Sequence, residues 1–118
     1  MKTGLIAKMM VAAGALVLSS QAMANVACAV VAPSAAGASD LNQVLAKKEF
    51  AEADLSKGLE VYSEQGLIYA ADLGTDGTIL LVIFDAATHQ AIDAATGNGN
   101  EVGLINMNPH RGLVCVRQ

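Results

Sequence analysis

Residues 40–58 read DLNQVLAKKEFAEADLSKG, and the element assigned to them decides the fold class. Ser39 or Asp40 can cap a helix, since a short polar side chain can accept an unpaired amide of the first turn. Leu41, Val44, Leu45, Ala51 and Leu55 then recur at helical spacing, while Asn42, Lys47, Glu49 and Glu52 point elsewhere. Lys57-Gly58 supplies a stop. Phe50 lies off the apolar stripe, which places a break near Lys48. The spacing therefore predicts a helix over 40–48 and, with the strands around it, an α+β domain.

Downstream the period changes from helical to two. Leu59–Ser63 and Leu67–Asp72 read as strands around the turn Glu64-Gln65-Gly66. Leu73–Gly77 is a second turn, because Asp76-Gly77 suits a tight hairpin. Thr78–Phe84 is continuously apolar, the mark of a central strand buried on both faces. Gln90–Ala95, a Gly97–Asn100 turn, Val102–Met107, a turn over Asn108–Gly112 and a last strand to Arg117 complete the chain. With such short connections, neighbours are expected to be antiparallel. The expected architecture is one N-terminal helix packed on a five- to six-stranded meander sheet, its termini joined by a disulfide.

Upstream, Val26–Val31 reads as a strand, followed by a small, breaker-rich loop over 32–38. Cys28 and Cys115 are the only cysteines and lie near opposite ends of the domain. Neither has a charged neighbour to stabilise a thiolate, and no C-x-x-C spacing occurs. In an oxidising compartment they are expected to pair. Pairing would set Val26–Val31 beside Leu113–Arg117, because bridged Cα atoms lie within about 7 Å.

The oxidising compartment follows from residues 1–24. Lys2 and Lys8, the apolar run Met9–Leu18 and Ala22-Met23-Ala24 have the order of a secretory signal peptide. As a helix that apolar run would span only about 15 Å, half a bilayer core. Asn25 and the early end of the apolar core do not fit a lipid-modified Cys28. The expectation is a bacterial periplasmic or secreted domain comprising residues 25–118, with no stable membrane insertion after cleavage. The chain carries seven Lys or Arg and eleven Asp or Glu, and loss of Lys2 and Lys8 takes its charge from −4 to −6. That balance disfavours nucleic acid and suits a cationic partner. With no Trp, two Tyr and two Phe, the chain is poor in the flat faces that stack bases or sugars.

Chemistry-bearing motifs are scarce. Asp72-x-x-x-Asp76-Gly77 lacks the alternating oxygens of a calcium loop. His89 and His110 have no second metal ligand at a suitable spacing. No G-x-S-x-G or H-E-x-x-H occurs, so no catalytic residue, metal or cofactor is implied. Glu49, Glu52, Asp54, Glu60 and Glu64 fall within sixteen residues and form a candidate docking surface for a basic envelope or secreted protein. A non-catalytic binding module of inhibitor, immunity or accessory type is the expected function. Its competitors are a small-ligand binder, with a pocket between Leu41, Val44 and the inward side of 79–84, and a self-assembling envelope protein. Asp-Ala-Ala-Thr occurs twice, at 85–88 and 93–96. With His89 tolerating positive φ, the first copy reads as a turn; the second is either a turn or part of a strand.

Overall fold

The computed structural model describes residues 25–118, and the leader assigned to 1–24 lies outside the described residues. Eight strands and one helical turn follow in order. They are β1 (Asn25–Ala32), β2 (Gln43–Ala51), α1 (Glu52–Leu55), β3 (Leu59–Glu64), β4 (Leu67–Leu73), β5 (Ile79–Asp85), β6 (Ala91–Gly97), β7 (Glu101–Met107) and β8 (His110–Arg117). They form two four-stranded antiparallel sheets, the first in the order β2-β1-β8-β7 and the second β3-β4-β5-β6.

The N-terminal helix expected over 40–48 does not form, its residues from Gln43 onward belonging to the strand Gln43–Ala51, and the single expected sheet is two. One cause explains both differences. β1 is central: Val26, Cys28 and Val30 are fully buried, and β8 occupies only one of its edges. Its other edge would leave buried amides and carbonyls unpaired, at a cost comparable to lost hydrogen bonds. β2 supplies the missing ladder from Asn25↔Ala51 to Ala32↔Gln43, with a bulge between Val30 and Val31. This tertiary requirement overrides the helical propensity of Leu-Ala-Lys-Lys-Glu. Phe50, off the helical stripe, sits opposite Val26 and packs against the core, as does Leu45. Helix survives only as the turn Glu52–Leu55, whose Leu55 is fully buried. Without a long helix as cover, the inner face of the second sheet packs on the first sheet.

The local readings of the second sheet hold. The β3–β4 connection is the two-residue turn Gln65-Gly66, with both residues at positive φ, 47° and 80°. That is the turn whose twist matches an antiparallel hairpin. In the β4–β5 turn, Gly77 takes φ 84° and the Asp76 carboxylate accepts the Thr78 amide at 3.0 Å, holding Asp76 below the usual carboxylate range. β5 is central, as expected, but one of its faces differs. Ile79, Leu81 and Ile83 are fully buried between the sheets, whereas Leu80, Val82 and Phe84 lie half-buried on the outer face. The turn expected over 108–112 shrinks to Asn108-Pro109, and His110 already belongs to β8.

Cys28 and Cys115 are bonded and occupy directly opposed register positions of β1 and β8. Their Cα atoms are 4.1 Å apart, and the link spans 87 positions of sequence. The pocket expected between Leu41, Val44 and 79–84 does not form. Ile79, Leu81 and Ile83 are fully buried in the core, whereas Leu41 packs near Gly112 and Val44 is 58% exposed, on the first sheet's far side.

Candidate functional site

The polar architecture centres on β8, read as Arg111-Gly-Leu-Val-Cys-Val-Arg117. Successive strand residues alternate faces, so Arg111, Leu113, Cys115 and Arg117 project to one side. Leu113 and Cys115 are fully buried, which aims the two arginines at the two ends of the core. Arg111 grips Glu64 of β3, with Nε donating at 2.7 Å and Nη2 at 3.2 Å. The Tyr69 hydroxyl donates to the same carboxylate at 2.7 Å. Burial raises the Glu64 carboxyl, but the bonds from Arg111 and Tyr69 outweigh it and hold the group below its ordinary value. Burial, then Glu64, pushes the Tyr69 hydroxyl upward, and the bond to Glu64 raises Arg111.

At the other end, Arg117 Nη1 donates to Glu52 Oε1 at 3.1 Å and Nε to the Gly99 carbonyl at 3.2 Å, while Nη2 donates to the carbonyl of Gly77. One side chain thus joins α1, the β4–β5 turn and the β6–β7 connection. Both clamps were missed at the level of sequence. The signal was the two-residue period running outward from Cys115, which puts Arg111 and Arg117 on the cysteine's face.

These clamps redistribute the acidic stretch. Glu52 and Glu64 are committed to arginines at opposite ends of β8. Asp54 lies 3.7 Å from Lys57 on the exposed helical turn. Glu49 is exposed on β2, in the first sheet, and Glu60 on β3, in the second. The five acids therefore do not form one contiguous patch.

The outer face of the second sheet offers a more continuous surface. Across the strands, Glu60, Ala70, Val82 and Ala94 form one row, and Asp72, Leu80 and Thr96 another. Ala70 is too short to fill its place, and a groove of about 330 Å³ opens between Glu60, Asp72, Ile68, Leu80 and Phe84. A second hollow of about 440 Å³ continues over Val82 and Phe84 to His89 and Ala91.

The two Asp-Ala-Ala-Thr copies fold differently. Asp85 Oδ1 accepts the amides of Thr88 at 2.9 Å and Ala87 at 2.8 Å, which hold the carboxyl below its ordinary value. His89 takes φ 62°. Asp93 lies within β6 and, among the described residues, accepts only the amide of Ala94, at 2.9 Å. Each carboxylate serves its own backbone.

Among the described residues, no group of three or more His, Cys, Asp or Glu could hold a metal ion, and no helix is long and apolar enough to cross a membrane. No family model, curated protein or solved structure matches the chain. The molecule is thus a small, disulfide-stabilised β-rich domain without a metal-binding cluster among its described residues.

Proposed function

We propose that this chain is an exported, non-catalytic protein-binding module of inhibitor, immunity or accessory type, whose acidic surface meets a cationic envelope or secreted protein. One observation carries the reading. Both arginines are consumed by internal clamps, so the excess of acid is concentrated on the surface. Among the described residues, eight carboxylates lack a Lys or Arg within ion-pair distance, while only Lys47 and Lys48 lack an acidic partner. Such a field accelerates encounter with a positively charged partner and weakens as salt screens it.

The test is titration of domain 25–118 against cationic envelope hydrolases and secreted toxins at several ionic strengths. A complex whose association slows steeply with salt is expected; absence of any such complex across the panel would sink the reading. Self-assembly is favoured by a different observation, the exposed Val44, Ile105, Met107 and Val116 of the first sheet. Sedimentation of a strictly monomeric domain at high concentration would reject it.

A further inference from the structure

We propose that the outer face of the second sheet is a docking trough for a basic amphipathic helix of a partner protein. This deepens the acidic-module reading and rests on it. A solvent-facing side of an antiparallel sheet ordinarily carries polar residues in alternation with the core. Here the alternation fails across the middle of the face. Ile68, Leu80, Val82 and Phe84 occupy its centre, all half-buried, and Ala70 supplies the depression between them.

The occupant's charge follows from the trough's margin. Glu60 and Asp72 stand on its β3–β4 side, and no Lys or Arg lines either hollow among the described residues. Lys48, which reaches this edge from the first sheet, donates Nζ to the Glu60 backbone carbonyl at 3.4 Å rather than to a carboxylate. Asp72 accepts the amide of Leu73 on one oxygen at 2.8 Å, and its other oxygen has no hydrogen-bond donor among the described residues. A second copy in the same trough would bring its own Glu60 and Asp72 into like-charge opposition. An anionic bilayer would be repelled for the same reason. A segment presenting Lys or Arg to this margin and an apolar stripe to the remainder is complementary on both counts.

Size narrows the form of that segment. The trough crosses the sheet from β3 to β6, three strand spacings or about 14 Å. A helix covers that distance in about nine or ten residues. A helix is also one of the elements that ordinarily cover an apolar sheet face. The fitting element is therefore a short helix with an apolar stripe and basic residues at the end above Glu60 and Asp72.

The experiment is a titration of isotope-labelled, disulfide-intact domain 25–118, followed by amide chemical shifts. The probe is a synthetic amphipathic helix of Leu and Lys, with two controls: Lys replaced by Gln, and Leu replaced by Ser. Only the Leu/Lys peptide should bind, with shifts centred on Ile68, Val82 and Phe84. Glu60→Gln should weaken it about two- to fivefold, in line with an exposed charge pair, and Val82→Asn should weaken it at least as much. Glu49→Gln, on the other sheet, should leave affinity unchanged. Unaltered melting temperatures would confirm that the variants fold. Shifts centred on the first sheet near Glu49 or Glu101, or an affinity indifferent to Glu60→Gln, would overturn the trough and leave the acidic-module reading standing. Failure of every cationic peptide to bind at low salt would overturn both.

Discussion

The two sheets differ in one pairing, the one between β1 and β8 at the centre of the first. The second is built from neighbours: β3, β4, β5 and β6 pair in chain order, each strand with the next. Its turns carry their own instructions in Gln65-Gly66, Asp76-Gly77 and Asp85–His89. The first joins two sequence-local pairs, β1–β2 and β7–β8, through one long-range pairing between β1 and β8, the first and last strands of the described domain. Closing such a loop costs more chain entropy than closing a hairpin. The covalent bond and both arginine clamps converge on β8, one strand of that long-range pair. Long-range pairing is thus reinforced where local turns cannot specify it.

The largest way to break that difference is to remove the bond. Replacing Cys28 and Cys115 together by Ser should cost about 4–5 kcal/mol on the chain-entropy account of a loop this long. Urea unfolding of the variant, beside the native protein with and without reductant, measures it. A loss below about 1 kcal/mol would mean that β1 and β8 find each other without help.

The same division explains what was legible. The hairpins from Leu59 to Phe84 were readable because their period and turn residues are adjacent in sequence. The disulfide was readable because two cysteines leave one pairing. β2 was not readable. Val44, Leu45, Ala51 and Leu55 satisfy a helical period, and only the bare edge of a distant β1 makes residues 43–51 a strand. The docking surface shared that limitation. Five acids close in sequence scatter in space, because Glu52 and Glu64 answer to arginines 65 and 47 positions away. The trough escaped notice for a related reason: a continuous apolar strand reads as covered on both faces, whether or not anything covers the second.

The next effect separates the two sides of β5. Leu81→Ala should cost about 2–5 kcal/mol, because a fully buried side chain leaves a cavity. Val82→Ala, one residue on but facing outward, should cost less than about 1 kcal/mol. Equal losses in chemical denaturation would show that the outer face is already covered in solution.

The Arg111 clamp comes next, since it joins the sheets at one end. Glu64→Gln and Arg111→Met should each cost about 1–3 kcal/mol, and the double variant less than their sum. The sign of the pH effect follows from the shifts. Glu64 is held below its ordinary value, so its stabilisation is present above the unfolded carboxyl's pKa and is lost as pH falls through the lower folded value. Tyr69 is raised above 10, so its contribution is present below pH 10 and is lost as pH rises beyond it, where the unfolded chain ionises first. Glu64→Gln should therefore flatten the acid limb of the stability curve, and Tyr69→Phe the alkaline limb. Limbs unchanged in both variants would show that the clamp does not govern either transition.

The smallest effect tests whether a repeated tetrapeptide means a repeated role. Asp85 and Asp93 open the same four letters, but the first organises a turn and the second lies within a strand. Asp85→Ala removes an acceptor shared by two amides and should lower the melting temperature by about 2–4 °C. Asp93→Ala removes one short-range contact to Ala94, while β6 keeps its backbone ladder to β5, so its melting temperature should fall by less. Thermal unfolding of the two variants side by side decides it, and equal losses would give Asp93 a part in the edge strand that its hydrogen bonding does not explain. The asymmetry arises from the fifth position. His89 accepts φ 62° and lets the chain reverse after the first copy, whereas Gly97 follows the second at the end of β6, where its missing side chain makes room for Val102. A Cβ on Gly97 would lie 3.1 Å from Val102 Cγ2, so the glycine there serves close packing at the passage from the second sheet to the first.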